Sequence, residues 1–171
     1  MGHPILLRFA CPSTAVPGAH LPGNRILLAT RVGDESRGPA RVASRLAHDL
    51  GSSLTVLYIA VELETIPVIA SGAGLDEDAL RRDMVARAEN LVREFFRDDF
   101  TVEFDVIVTE GDVVDGIVKA AGKLSPRFLV VGGKGRSGIA RLILGDTTRT
   151  ILQRSPCPVI VVPMSSEFAE G

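Results

Sequence analysis

The chain has 171 residues, 46% hydrophobic and 23% charged, a size that suits one domain able to bury its own core without staples. Its 19 Lys and Arg against 21 Asp and Glu leave a formal net charge of −2, so no global basic field draws it onto nucleic acid. Cys11 and Cys157 make neither a disulfide framework nor a metal cluster, and no apolar run reaches the roughly 18 residues that span a bilayer, which excludes a membrane partner and points to a reducing cytoplasm.

In residues 1–24, Arg8 interrupts the one apolar run, and Pro4, Pro12, Pro17 and Pro22 break any helical export signal, so this stretch reads as a flexible N-terminal extension. From Arg25 on, short β-branched runs alternate with helical patterns, which predicts a parallel sheet covered on both faces. The predicted strands are Ile26 to Thr30, Ser53 to Ala60, Thr101 to Thr109, Phe128 to Gly132 and Pro158 to Val162. Between the first two, Val42, Leu46 and Leu50 recur at helical spacing, with Ser36 as cap and Gly51 as stop. VELETIPVIASGAGL shows no clear period and reads as a loop able to close over a ligand. The long helix that follows places Leu80, Met84, Ala88, Leu91, Val92 and Phe95 on one face and pairs acids with arginines on the others. Asp112 caps a third helix that buries Ile117, Ala121 and Leu124, and a fourth begins near Asp146, itself a candidate cap, and buries Ile151 and Leu152. Residues 25–164 form the domain and 165–171 a tail. Ligands of such sheets bind beyond the strand ends where the strand order reverses, here after the first and fourth strands.

The segment VVGGKGRSGIARLILGDTTRTILQ carries the main functional signal. A strand ending in glycines lets backbone approach an anion, and the next helix offers unpaired N–H groups and a positive dipole end. Gly133, Gly135 and Gly138 satisfy G-x-G-x-x-G, but after the penultimate strand rather than the first, which speaks against a dinucleotide fingerprint. A Walker loop fails because Ile139 and Ala140 stand where Lys and Ser/Thr belong. Gly132, Gly135 and Gly145, separated by two and nine residues, together with GKGRSGIARLILGD and SPCPVIVVP, resemble the nucleotide signature of the universal stress protein family. RILLATRVGDESRGPARVASRLAHDLGSSLTVLYIAVE and EGDVVDGIVKAA extend that resemblance over Arg25 to Met164.

The resemblance implies a doubly wound, open five-stranded parallel sheet of order 3-2-1-4-5, a homodimer through the last strand (Pro158 to Val162), and a sensing or binding role rather than turnover, with at most slow hydrolysis. It also implies ATP or another adenine nucleotide at a site formed by Thr30, Arg31, Ile59, Val131, Gly132, Gly135, Arg136, Gly145, Asp146 and Thr147. Two positions depart from the ATP-binding pattern. Arg31 stands where the binders carry Asp after the first strand, and Asp146 where they carry Ser or Thr after the last glycine. A carboxylate about 4 Å from a phosphate charge costs roughly 1 kcal/mol in water and about 4 kcal/mol at an effective dielectric of about 20. A bridging Mg or Mn ion would instead make Asp146 a ligand, and Lys134, Arg136, Arg141 and Arg149 give the segment a positive excess. The alternative is a dimeric interaction module without nucleotide, its cleft blocked by Arg31 and Asp146, which could pair. No catalytic set stands out: His3 and His20 lie in the extension, and His48 reads as a surface residue.

Overall fold

The computed structural model describes residues 23–133 and 145–164. Five strands, β1 (Gly23–Thr30), β2 (Ser53–Ile59), β3 (Phe104–Thr109), β4 (Pro126–Gly133) and β5 (Val159–Pro163), form one sheet in the order β3-β2-β1-β4-β5. All four pairings are parallel, and the expected strand order is met. The order reverses between β1 and β4, because the chain winds outward to β3 and then crosses to the other side of β1. Continuous β-branched and leucine runs suit strands buried on both faces, and Ile26, Leu27, Leu28, Leu129 and Val130 are fully buried.

One face is covered by α1 (Arg37–Asp49) and α3 (Glu77–Phe95), the other by α4 (Val113–Leu124) and α5 (Asp146–Arg154). On α1 the buried stripe is Ala40, Ala43 and Ala47, while Val42, Leu46 and Leu50 are half-buried at its margins; small residues let the helix lie close to the strands. Gly51 takes the left-handed conformation (φ 57°) just past the helix, the expected stop. Asp112 Oδ1 accepts the Asp115 N–H at 2.9 Å, the expected cap of α4.

Several boundaries differ from expectation. The first strand begins at Gly23, whose N–H donates to the Ser125 carbonyl, so two residues assigned to the extension belong to the sheet. The third starts at Phe104 rather than Thr101, because the Thr101 N–H and hydroxyl are bonded to Ser44 Oγ on α1. The stretch expected as a loop is a 3-10 turn (Val61–Thr65) followed by α2 (Ile66–Ala73). Pro67 suits its first turn, and Gly74 at φ 65° ends it, the Leu75 N–H closing back on the Ala70 carbonyl. Ile66 and Ala70 are buried against α3, whereas Val68 is 77% exposed. On α3, Val92 is buried but Leu91 is 50% exposed, one position off the buried stripe.

A buried ion cluster ties α1 to the α3–β3 connection. The Asp99 carboxylate, 1% exposed, accepts from Arg37 at 2.5 Å and from Arg41 at 3.0 Å, and Arg37 lies 4.3 Å over the Phe95 ring. These contacts fix the first turn of α1, which borders the site described next.

Candidate functional site

At the carboxyl ends of β1, β2 and β4 lies a cavity of about 400 Å³. Thr30 and Arg31 follow from β1, Tyr58 and Ile59 from β2, and Val131 and Gly132 from β4. Helices close the rest: Val113 and Ile117 of α4, Thr147, Thr148 and Ile151 of α5, then Ser36 and Met164. This is the switch point where an open α/β sheet leaves a crevice. Six of the expected residues (Thr30, Arg31, Ile59, Val131, Gly132 and Thr147) meet on one cavity. Gly145 and Asp146 lie at the start of α5 beside it, while Gly135 and Arg136 lie outside the described residues.

Three local findings reshape the expected roles. First, Gly145 caps α5 with extended backbone (φ −65°, ψ 161°), and Asp146 is the first helical residue, exposed and without a side-chain cap bond. The capping role expected of Asp146 is thereby overturned, and Gly145 supplies no side-chain cap to the first-turn N–H groups of α5. Second, a Cβ at Gly132 would sit 2.5 Å from Met164 Sδ and 3.5 Å from Pro39 Cγ, so its missing side chain makes room for Met164. Third, Arg31 does not pair with Asp146. Its guanidinium donates to Glu35 at 2.5 Å, one turn along its own segment, with Arg31 largely exposed and Glu35 half-buried.

Thr148 donates to the Gly132 carbonyl at 3.4 Å, joining the start of α5 to the end of β4, and Thr30 donates to the Arg31 carbonyl at 3.2 Å. Ser36, read from sequence as a helix cap, makes no cap bond. It closes a 3-10 turn (Asp34–Ser36), is 1% exposed, and its Oγ has no hydrogen-bond partner. Sequence reasoning missed Ser36, Val113, Ile117 and Met164 as walls. The helix-forming pattern that betrayed Ile117 as a core residue carried no sign that its end of α4 faces an opening.

Among the described residues, no three His, Cys, Asp or Glu side chains gather to hold a metal, and no helix is long and apolar enough to cross a membrane. His48 is exposed on α1 beside Asp49 and does not line the cavity.

A doubly wound parallel sheet with a cavity at its switch point defines an open α/β domain of the kind whose ligand crevices lie beyond the strand ends. Residues 23–163 match the model of the universal stress protein family, and the chain belongs to that family. A universal stress protein of Thermus aquaticus is 28% identical over 137 residues, covering 80% of this chain and 96% of that relative. Among solved structures, a universal stress protein from Archaeoglobus fulgidus is 21% identical with a TM-score of 0.53, covering 80% of this chain and 96% of that one. A universal stress protein solved in complex with cAMP is 20% identical with a TM-score of 0.54, covering 82% and 97%.

Proposed function

We propose that the cavity takes an adenine nucleotide, the base lying against Ile59, Val131 and Val113 and the 5′ end directed toward Gly132 and the start of α5. The observation that carries this reading is the conjunction at one crevice of an apolar wall with a helix start whose first-turn N–H groups have no side-chain cap. The volume, about 400 Å³, falls in the range of small-ligand sites, roughly 300–1,000 Å³. The cAMP complex of a protein of the same fold supports an adenine ligand. The role is binding or sensing, with no residue assigned to turnover. A divalent cation carried in by the nucleotide would meet the exposed Asp146 carboxylate, which supplies one oxygen ligand and removes the repulsion between that carboxylate and phosphate.

A homodimer through Pro158 to Val162 forms part of the same proposal. β5 pairs with β4 on one side and is the last strand of the sheet, so its outer edge offers backbone groups to a second copy. Location in the cytoplasm follows from the cysteine usage and is likewise proposed.

A second reading, an interaction module without nucleotide, is favoured by Met164 filling the space over Gly132 and by the exposed carboxylate of Asp146 at the helix start, which repels a phosphate. Calorimetric titration of nucleotide-stripped protein with ATP, with and without Mg or Mn, beside Asp146→Ser, separates the two. Micromolar binding by the wild type that requires the metal supports the nucleotide site with Asp146 as ligand. Binding by the variant alone identifies the carboxylate as the block, and silence from both rejects the nucleotide.

A further inference from the structure

Resting on the reading of the cavity as an adenine-nucleotide site, we propose that its preferred ligand carries a phosphate on the ribose 2′ or 3′ oxygen, seated by Arg31 and Ser36. Among the described residues that line the cavity, Arg31 alone carries a formal charge. Its guanidinium offers only donors, in a planar fork that matches a phosphate, and has no acceptor for a free ribose hydroxyl. In the dinucleotide sites of doubly wound sheets an acidic side chain accepts the ribose hydroxyls, whereas a nearby arginine accommodates a ribose phosphate, and Arg31 brings the second chemistry to a strand end of this sheet.

Ser36 adds an independent observation. Its hydroxyl is buried in the same wall, five residues along from Arg31, without a partner of any kind. Buried hydroxyls are almost always bonded, and a turn of its single side-chain torsion would direct this one to a ligand oxygen. Charge at the other end of the cavity points the same way. Asp146 places an exposed carboxylate in the first turn of α5, which opposes a chain of 5′ phosphates, so the ligand's negative charge is better placed beside β1. Glu35 is the competitor: it holds Arg31 through an exposed i,i+4 pair, a kind that contributes little and exchanges readily, and Asp34 adds a second acid in the same turn.

Calorimetry at fixed ionic strength with adenosine, 5′-AMP, 2′-AMP and 3′-AMP tests this on the wild type, Arg31→Gln, Ser36→Ala and Glu35→Gln. A charge-assisted phosphate contact predicts that 2′-AMP or 3′-AMP binds about tenfold or more tighter than 5′-AMP. Arg31→Gln should erase that advantage, bringing 2′-AMP and 3′-AMP down to the affinity of 5′-AMP for the same variant, because the lost contact is charge-assisted and made to the ribose phosphate. Ser36→Ala should reduce the advantage, and Glu35→Gln should enlarge it by freeing the guanidinium. Arg31 is 63% exposed, so its replacement leaves folding intact, which far-ultraviolet circular dichroism verifies. Equal or tighter binding of 5′-AMP by the wild type, or an advantage that survives Arg31→Gln, overturns the proposal while leaving an adenine site standing. Silence from all four compounds overturns this proposal, and silence from ATP with and without metal as well overturns the site itself.

Discussion

Removing the Asp99 carboxylate should weaken the whole molecule, because this one group holds two arginines of α1 against the segment leading into β3. Its side chain is 1% exposed and accepts from Arg37 at 2.5 Å and Arg41 at 3.0 Å, across 62 and 58 residues of chain. A hydrogen bond to a charged partner contributes about 1.5–3 kcal/mol when buried. The two guanidiniums are 31% and 37% exposed, so each regains part of its hydration once released, and roughly half of the combined figure survives. Asp99→Ala is therefore expected to cost about 1.5–3 kcal/mol. For a chain of this length that lowers Tm by roughly 3–12 °C. Urea unfolding followed by circular dichroism should show a lower midpoint at unchanged slope, with little dependence on salt because the acceptor is shielded. Arg41→Ala, which leaves Arg37 and its ring contact in place, should cost less than half as much. A midpoint for Asp99→Ala equivalent to within about 0.5 kcal/mol of the wild type, the scatter of ordinary surface substitutions, would refute the strut.

Two further substitutions separate stability from binding. Thr55 is fully buried on β2 and its Oγ1 has no partner, so Thr55→Val, close in shape, should stabilise the protein by about 1 kcal/mol, read as a Tm rise of roughly 2–4 °C; a fall would mean that the hydroxyl is satisfied in solution. Gly145 sits in extended backbone, and a Cβ added there would meet nothing within 4 Å, so Gly145→Ser should strengthen the cap of α5 by about 0.5–1 kcal/mol while its hydroxyl takes an N–H that a bound phosphate would use. Thermal melts should rise as calorimetric affinity for a 5′ nucleotide drops; a rise in both would place the phosphate elsewhere.

The sheet was legible because each strand is a β-branched or leucine run bounded by Gly, Pro or polar residues, and burial on both faces leaves such runs little else to become. The strand order came through the resemblance around Gly132, Gly135 and Gly145, since nothing in an isolated run states its neighbours. α2 was hidden for a physical reason. Eight residues give two turns, only Ile66 and Ala70 mark its buried side, and Val68 and Ile69 blur the pattern by facing out. Pro67 and Gly74 did announce its two ends. At the site, Thr30, Ile59, Val131 and Gly132 were readable as strand ends at a switch point, whereas the contacts of Arg31 and Gly132 were not. Whether Arg31 finds Asp146 or Glu35 depends on side-chain reach across a cavity, and Met164 reaches Gly132 only because β5 lies beside β4. Ser36 could be named as a helix-start residue, but that its hydroxyl would be sealed in without a cap bond required the 3-10 turn that precedes α1.

The most direct test of an adenine site at the switch point is a titration of isotope-labelled protein with 5′-AMP and 3′-AMP, followed residue by residue through backbone amide resonances. Saturable shifts concentrated on Ala29 to Arg31, Ile59, Val131 to Gly132 and Thr147 to Thr148, with α3 and the β3 edge unmoved, are the predicted result. Saturable binding whose shifts fall away from these strand ends, or no shift at millimolar ligand, would contradict it.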